Sequence, residues 1–305
     1  MLRIAVVGAG PMGRLHARAV SRRVRAAGDC VLVGVVDRHA ARSERVAREF
    51  GAPALSLEQT VATADAAIVA VPTAEHAGIA TALLSRGLDL LVEKPMTGTA
   101  SGARRLLDLA RRSERTLAVG HVEWWNPVWS QVLEAAGAPA RIRIHRLQPP
   151  TDRGLDIDVV QDFMLHDLDA VRRRLGPAST LVEASGRCVA NERLDEARVV
   201  LAFEGGTQVE LVASRVHSER CRTIEIEGAR GSVSGDLDSG TLVGPDGRSV
   251  PASSETSGLH EPLDLQLADF VRACADRSRP VNDGEEGVAT LELVDRVRAA
   301  IGEGA

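Results

Sequence analysis

Lysine is almost missing from this sequence: of 37 basic residues only Lys94 is a lysine, the other 36 being arginines. Arginine stays protonated wherever it sits, whereas a lysine amine is a compact donor whose proton affinity responds to burial, so the single lysine is a candidate for a reacting centre. Cysteine is sparse and scattered. Cys30, Cys188, Cys221 and Cys274 form no CxxC pair and no short Cys/His spacing, so no metal site is expected and the thiols read as reduced and mostly buried. HExxH, GxSxG and the full Walker pattern are absent, which sets aside metalloprotease, serine hydrolase and P-loop chemistry. No run approaches the roughly 18 apolar residues of a transmembrane helix, so no membrane partner is expected. The opening MLRIAVVGAG reads as the start of a fold rather than a leader, so a cytoplasmic location is expected. A formal net charge of −5 argues against nucleic acid, and the arginine row Arg14, Arg18, Arg22 and Arg23 reads as a solvated helix face. What is left is cofactor chemistry on a small ligand.

At 305 residues the chain exceeds the roughly 100–200 typical of one domain, and two are expected, 1–119 and 120–305. In the first, apolar runs at 2–7, 31–36, 66–71, 88–92 and 116–119 alternate with helical stretches from Pro11, from about Ala40 to Phe50 and from about His76 to Arg86. That alternation predicts an α/β fold with a doubly wound parallel sheet. Beyond residue 120, strand-like segments at 141–147, 181–189, 197–203, 208–215 and 222–227 dominate. Helices are expected near 127–136, 160–174, 263–276 and 285–301, and a loop over 249–262. This texture predicts an α+β domain with one largely antiparallel, open sheet. A bare sheet face would expose apolar side chains, so a homodimer or homotetramer built on it is expected.

Gly8-Ala9-Gly10-Pro11-Met12-Gly13 matches GxGxxG between a strand and a helix. The first glycine permits the tight turn, the second lets a pyrophosphate approach the backbone, and the third lets helix and strand pack closely. Asp37 follows 24 residues after Gly13 at the end of the second strand, where a carboxylate accepts the adenosine ribose hydroxyls and repels a 2′-phosphate. A Rossmann domain that binds NAD is therefore expected. Arg38 leaves NADP open, because a guanidinium there can pair with a 2′-phosphate.

Three further features follow in order: Glu93-Lys94-Pro95 after a strand end, His121 after Val119-Gly120, and Asp162-Phe163-Met164-Leu165-His166-Asp167-Leu168-Asp169. Together with GxGxxG they resemble the Gfo/Idh/MocA family of glucose-fructose oxidoreductase, inositol dehydrogenase and sugar dehydrogenase relatives, over essentially the whole chain. The resemblance implies that Lys94, Asp162 and His166 converge on the reacting carbon. It also implies that Val71, Pro72, Thr73 and His76 lie beside the nicotinamide ribose, with Glu93 and Lys94 at the cofactor. Chemically, His166 suits the base that takes the hydroxyl proton, and Lys94 a donor to the substrate oxygen. Asp162, four residues earlier on a helix, can orient the imidazole. Asp167 and Asp169 read as solvating or capping residues.

All three tryptophans fall in His121-Val122-Glu123-Trp124-Trp125-Asn126-Pro127-Val128-Trp129, where the family often reads GHxxRFNP. His121, Trp124, Trp125 and Asn126 are candidate substrate contacts, since indole faces suit a sugar or nucleobase. Core packing is the equal alternative for the indoles. The stretch Asp158-Val159-Val160-Gln161-Asp162 through Asp169 is similar to members that oxidise the 3-hydroxyl of nucleotide sugars. The expected activity is thus an NAD(P)-dependent dehydrogenase for a sugar, nucleotide sugar or cyclitol. A biosynthetic carbonyl or imine reductase and a non-catalytic dinucleotide sensor are the alternatives on the same fold.

Overall fold

The computed structural model describes residues 1–151, 157–190, 192–252 and 261–303. They belong to two compact units, Met1–Val122 with Gly258–Leu291 and Glu123–Ser257 with Glu292–Ala305. In the first unit the chain runs β1 (Leu2–Val7), α1 (Pro11–Ala26), β2 (Cys30–Val36), α2 (Ala40–Glu49), α3 (Leu57–Thr63), β3 (Ala66–Val69), α4 (Thr73–Leu84), β4 (Asp89–Val92), α5 (Ala100–Arg112) and β5 (Leu117–Val119). The five strands form one sheet in the order β2-β1-β3-β4-β5, and every pairing is parallel. Parallel strands are covered on both faces, which explains why they read as unbroken apolar runs: Ile4 to Val7, Ala66 to Val69 and Leu90 to Val92 are all buried. The arginine row of α1 is acid-paired: Arg14 meets Glu49, Arg18 and Arg22 meet Glu261, and Arg23 meets Asp29.

Two helices went unread in the sequence. Short α3 opens with a capping box in which Ser56 and Gln59 satisfy each other's backbone N–H groups, and α5 is capped by Thr99. Helix α4 starts at Thr73, three residues before the expected point, directly after Pro72.

The second unit opens with a 3-10 turn ending at Trp125 and continues with α6 (Pro127–Ala136), β6 (Pro139–Leu147), a π-helical turn (Val160–Met164), α7 (Leu165–Leu175), β7 (Ala178–Arg187), β8 (Glu196–Phe203), β9 (Gln208–Ser214), β10 (Cys221–Gly228), β11 (Gly231–Asp236), β12 (Thr241–Val243) and β13 (Ser249–Pro251). Its sheet has eight strands in the order β13-β12-β11-β10-β6-β9-β8-β7, antiparallel except where β6 meets β9. Of the loop expected over 249–262, Ser249–Pro251 is strand, residues 253–260 lie outside the described residues, and helix α8 (Pro262–Asp276) begins at the end of that stretch. Phe270, Leu267 and Leu263 of α8 join the core of the first unit with Ile4, Val20 and Ile68. The last helix, α9, is Gly284–Glu303. No helix among the described residues is long and apolar enough to cross a membrane.

The two faces of the eight-stranded sheet differ. Ile142, Ile144 and Arg146 of β6 are buried, as are Ile224 and Ile226 of β10, and Val128 and Val132 of α6 pack so closely on β11 that a Cβ at Gly235 would come within 2.5 Å of Val128. The opposite face was expected to be apolar, and that expectation is corrected. Strand alternation places Arg143 there among Glu210, Glu225 and Glu227 at 3.4–3.8 Å, and Arg198 within 2.6 Å of both Glu183 and Glu210.

Buried charge fastens α7 to the sheet. Arg146, 6% exposed, holds Asp167 through Nε and Nη2 at 2.9 and 2.6 Å, and Nη2 also reaches Glu123 at 3.3 Å. Arg222 supplies Glu123 with a second guanidinium at 2.5 Å. Asp167, read from sequence as solvated, is 2% exposed.

Replacing Arg146 by alanine leaves two buried carboxylates short of charge, so Arg146→Ala is expected to lower stability by about 3–5 kcal/mol in urea denaturation. The glycine loop after β1 yields a second expectation. A Cβ at Gly13 would lie 1.7 Å from the Gly8 carbonyl oxygen, whereas one at Gly10 meets nothing within 4 Å. Gly13→Ala should therefore cost about 1–3 kcal/mol or more on the same measurement, while Gly10→Ala keeps wild-type stability and weakens dinucleotide binding.

Candidate active site

Because all five strands of the first unit are parallel, their carboxyl ends line one edge of its sheet, and each end carries residues singled out in the sequence. Gly8–Gly13 follows β1, Asp37-Arg38 follows β2, Val71-Pro72-Thr73 follows β3, Glu93-Lys94-Pro95 follows β4, and Gly120-His121 follows β5. Strand order reverses between β1 and β3, and open α/β sheets bind ligands at such a switch point.

The loop fits a dinucleotide. Gly8 sits at φ +104°, and a Cβ there would press to 2.3 Å of the Ala70 carbonyl oxygen, so the turn closes tightly against β3. Pro11 is the first residue of α1, where its missing N–H costs nothing, and Met12 is exposed beside it. The space beyond Gly10 is where a pyrophosphate would approach the helix N-terminus. Asp37 closes the loop: one carboxylate oxygen accepts the Ala9 N–H at 2.8 Å and the other the His39 N–H at 2.9 Å. Each oxygen keeps lone-pair capacity for a ribose hydroxyl. Arg38, largely exposed, donates through Nη1 to Glu75 at 3.0 Å.

Around Lys94 the chain is tightly built. Glu93 is buried, its carboxylate 2.6 Å from His16 Nε2, and its second oxygen accepts the Lys94 backbone N–H at 3.2 Å. Burial works to raise the Glu93 proton affinity, but the hydrogen bond with His16 and the electrostatic influence of His16 and Lys94 outweigh it and hold the carboxyl below its usual range. His76, expected at the cofactor, is 1% exposed, with Nδ1 2.8 Å from the Pro95 carbonyl and Nε2 2.9 Å from that of Val71. Both ring nitrogens thus face the backbone. His121 is 2% exposed, and its carbonyl accepts from the Asn282 amide at 2.9 Å.

In the second unit, Asp162 lies in the π-helical turn and His166 in the first turn of α7, so the simple α-helical spacing expected for them is widened. Asp158 caps the turn by accepting the Val160 and Gln161 N–H groups at 3.0 Å, and Arg298 fixes Asp158 at 2.6 Å. From Val159 to Val171 every residue is buried except Asp162, Phe163 and His166. The two candidate groups and Phe163 are thus the only partly exposed residues of this segment.

The aromatic stretch divides. Trp129 is 1% exposed and belongs to the core. Trp124 is faced by Arg173 and Arg174, whose guanidinium carbons lie 3.8 and 4.3 Å from its ring centroid, so arginines rather than open space adjoin the indole. The buried Trp125 N–H makes no hydrogen bond to a described residue. Asn126, expected at the substrate, caps α6: its oxygen accepts the Val128 N–H at 3.1 Å and its amide donates to Glu123 at 2.8 Å and to the Leu237 carbonyl at 3.2 Å. Sequence reading missed His16, Asp158, Glu123 and Arg146. An isolated histidine or arginine inside a helix or strand gives no sign of a partner 77 or 21 residues away.

Comparison with known proteins identifies the family. Residues 2–121 match the Gfo/Idh/MocA group described as an oxidoreductase family with an NAD-binding Rossmann fold, and residues 155–305 match its C-terminal alpha/beta domain. A UDP-N-acetylglucosamine 3-dehydrogenase from Acidithiobacillus ferrooxidans is 30% identical, the alignment covering 98% of this chain and 97% of the relative. Its solved structure superposes with a TM-score of 0.86 over the same shares. An inositol 2-dehydrogenase from Rhizobium meliloti is 24% identical over 99% of this chain and 97% of the relative. A scyllo-inositol 2-dehydrogenase (NAD(+)) from Bacillus subtilis is 24% identical over 96% and 92%. With a glycine loop shaped for a dinucleotide and both domains matched, the chain belongs to the Gfo/Idh/MocA family of NAD-binding oxidoreductases.

Proposed function

We propose that this protein is a dehydrogenase that passes a hydride between NAD and a secondary hydroxyl of a sugar, nucleotide sugar or cyclitol, with the 3-hydroxyl of a nucleotide sugar as the leading candidate. The observation that carries the reading is the common edge of the parallel sheet, where the dinucleotide loop at the end of β1 and the sole lysine at the end of β4 stand with only β3 between their strands. The nucleotide sugar is favoured by the 30% identical relative, which is named for that substrate class. The unit of Met1–Val122 with Gly258–Leu291 would hold the dinucleotide, and that of Glu123–Ser257 with Glu292–Ala305 the substrate, so the boundary expected at 119/120 is crossed by the returning α8 segment.

Bound NAD supplies the hydride acceptor. Gly8, Gly10, Pro11, Met12 and Gly13 seat its pyrophosphate, Asp37 takes the adenosine ribose, and Val71, Pro72 and Thr73 line the strand end toward the nicotinamide. Lys94 donates to the substrate oxygen and stabilises the charge that develops as the hydroxyl proton leaves. His166 accepts that proton, and Asp162 orients the imidazole or a neighbouring hydroxyl. Glu93 and His76 act on Lys94 from behind, while His121, Trp124 and Trp125 shape the substrate side. NAD is preferred over NADP because the Asp37 carboxylate is pinned in place and Arg38 is engaged by Glu75. The thiols are less buried than expected, Cys188 being exposed and Cys221 half-buried; a cytoplasmic setting suits the buried pair, with Cys30 pushed by burial up to about 11 and Cys274 also raised. Homodimer or homotetramer formation through the bare sheet face would use the Arg143 and Arg198 ion pairs, a salt-dependent contact.

Purified protein incubated with NAD or NADP and a panel of nucleotide sugars, free sugars and inositols should reduce NAD with at least one of them, read by absorbance of the reduced nicotinamide. Lys94→Arg should lower turnover on the order of 100-fold although the charge is kept, because the guanidinium cannot take the amine's donor position. Tight dinucleotide binding with no turnover across the panel would favour the sensor, and an unimpaired Lys94→Arg enzyme would remove the amine from the mechanism. Sedimentation should give a dimer or tetramer at low salt that loosens as salt rises; a monomer throughout contradicts the assembly.

A further inference from the structure

The turn that carries Lys94 is gripped from both sides by buried histidines. His16 comes from α1, the helix that opens at the dinucleotide loop, and holds the Glu93 side chain at 2.6 Å. His76 comes from α4 and stands 2.8 Å from the carbonyl of Pro95. Both rings are 1% exposed. Glu93 passes the hold onward by accepting the Lys94 N–H, and its carboxyl is packed so closely on Gly120 that a Cβ there would fall 2.9 Å from it.

We infer that His16 and His76 are positioning residues for Lys94, acting through Glu93 and Pro95 to fix the backbone from which the only primary amine of any side chain projects. The inference rests on the catalytic reading of Lys94 given above. Its physical ground is the cost of the arrangement. Taking a carboxylate and two imidazoles out of water is expensive, and apolar residues of similar volume commonly hold a helix to a strand as well or better than a buried charged pair. Directional contacts are needed where an atom must be placed rather than merely packed, since a misplacement of about 1 Å at a reacting centre can cost on the order of 100-fold in rate. Here the directional contacts fall on Glu93 and Pro95, the two neighbours of Lys94. Glu93 also sets a negative charge behind the amine, and His16 keeps it there. Because α1 bears the Gly10–Gly13 segment at one end and His16 within its second turn, the same rigid helix locates both pyrophosphate and amine.

The sequence offers an unusually direct test. Isotope-labelled lysine introduces one labelled residue, so the Lys94 side chain gives a single set of NMR signals in the intact protein, whether or not it is catalytic. In the wild type the two Lys94 Cε protons should be inequivalent and ordered. In His16→Ala and His76→Ala they should move toward the averaged values of a free lysine, and kcat should fall on the order of 10–100-fold while the affinity for reduced dinucleotide is unchanged. His16→Gln and His76→Gln, whose amides can still donate, should restore part of both signals, and they serve where an alanine variant does not fold. An unshifted Lys94 spectrum with wild-type kcat in both alanine variants overturns the inference, as does a fall in kcat with the Lys94 signals unmoved. A fully active Lys94→Arg enzyme instead defeats the catalytic reading, while the spectra still decide whether the histidines hold the turn.

Discussion

Close backbone approach at the end of β1 is the constraint from which the first unit is built. Gly8 lies against the Ala70 carbonyl and Gly13 against the Gly8 carbonyl, distances that any side chain on either glycine would forbid. That closeness lets α1 start almost on top of the sheet, so its unsatisfied N–H groups face the strand-end edge. It also brings Ala9 within reach of Asp37 and His16 within reach of Glu93, so elements far apart in sequence meet around one short loop.

The second unit solves a different problem by different means. Its candidate groups sit on a π-helical turn, a conformation whose wide hydrogen-bonded ring is seldom favoured alone. The turn is held at both ends by arginine–aspartate pairs, Arg298 on Asp158 before it and Arg146 on Asp167 after it. Charge, more than shape, sets where Asp162 and His166 stand. In the first unit glycine packing shapes the dinucleotide loop, and polar contacts to Glu93 and Pro95 hold the turn that carries Lys94.

What could be read in advance follows from these differences. The five parallel strands were legible because burial on both faces writes them as apolar runs, and the dinucleotide loop because its glycines are required by geometry. Toward one side of the second sheet, β11 is glycine- and serine-rich and β12 and β13 are three residues each, so they carry no such pattern in the sequence. Asp167 reads as a solvating or capping residue because nothing local announces Arg146 on a strand 21 residues earlier. The intramolecular partners of Asn126 and His76, a helix N-terminus and two carbonyls, are likewise not announced by their neighbours in the chain. The π-helical turn has no sequence signature, so Asp162 and His166 were placed on an ordinary helix.

Asp37 serves two masters. The carboxylate that would discriminate between dinucleotides is also the acceptor that ties down the Ala9 amide in the middle of the glycine loop. Exchanging it for a neutral residue to admit a phosphorylated ribose would release that amide and slacken the loop on which either cofactor depends. A change of coenzyme in this lineage is thus a concerted matter, in which a replacement donor or acceptor for the loop has to arrive together with the altered charge.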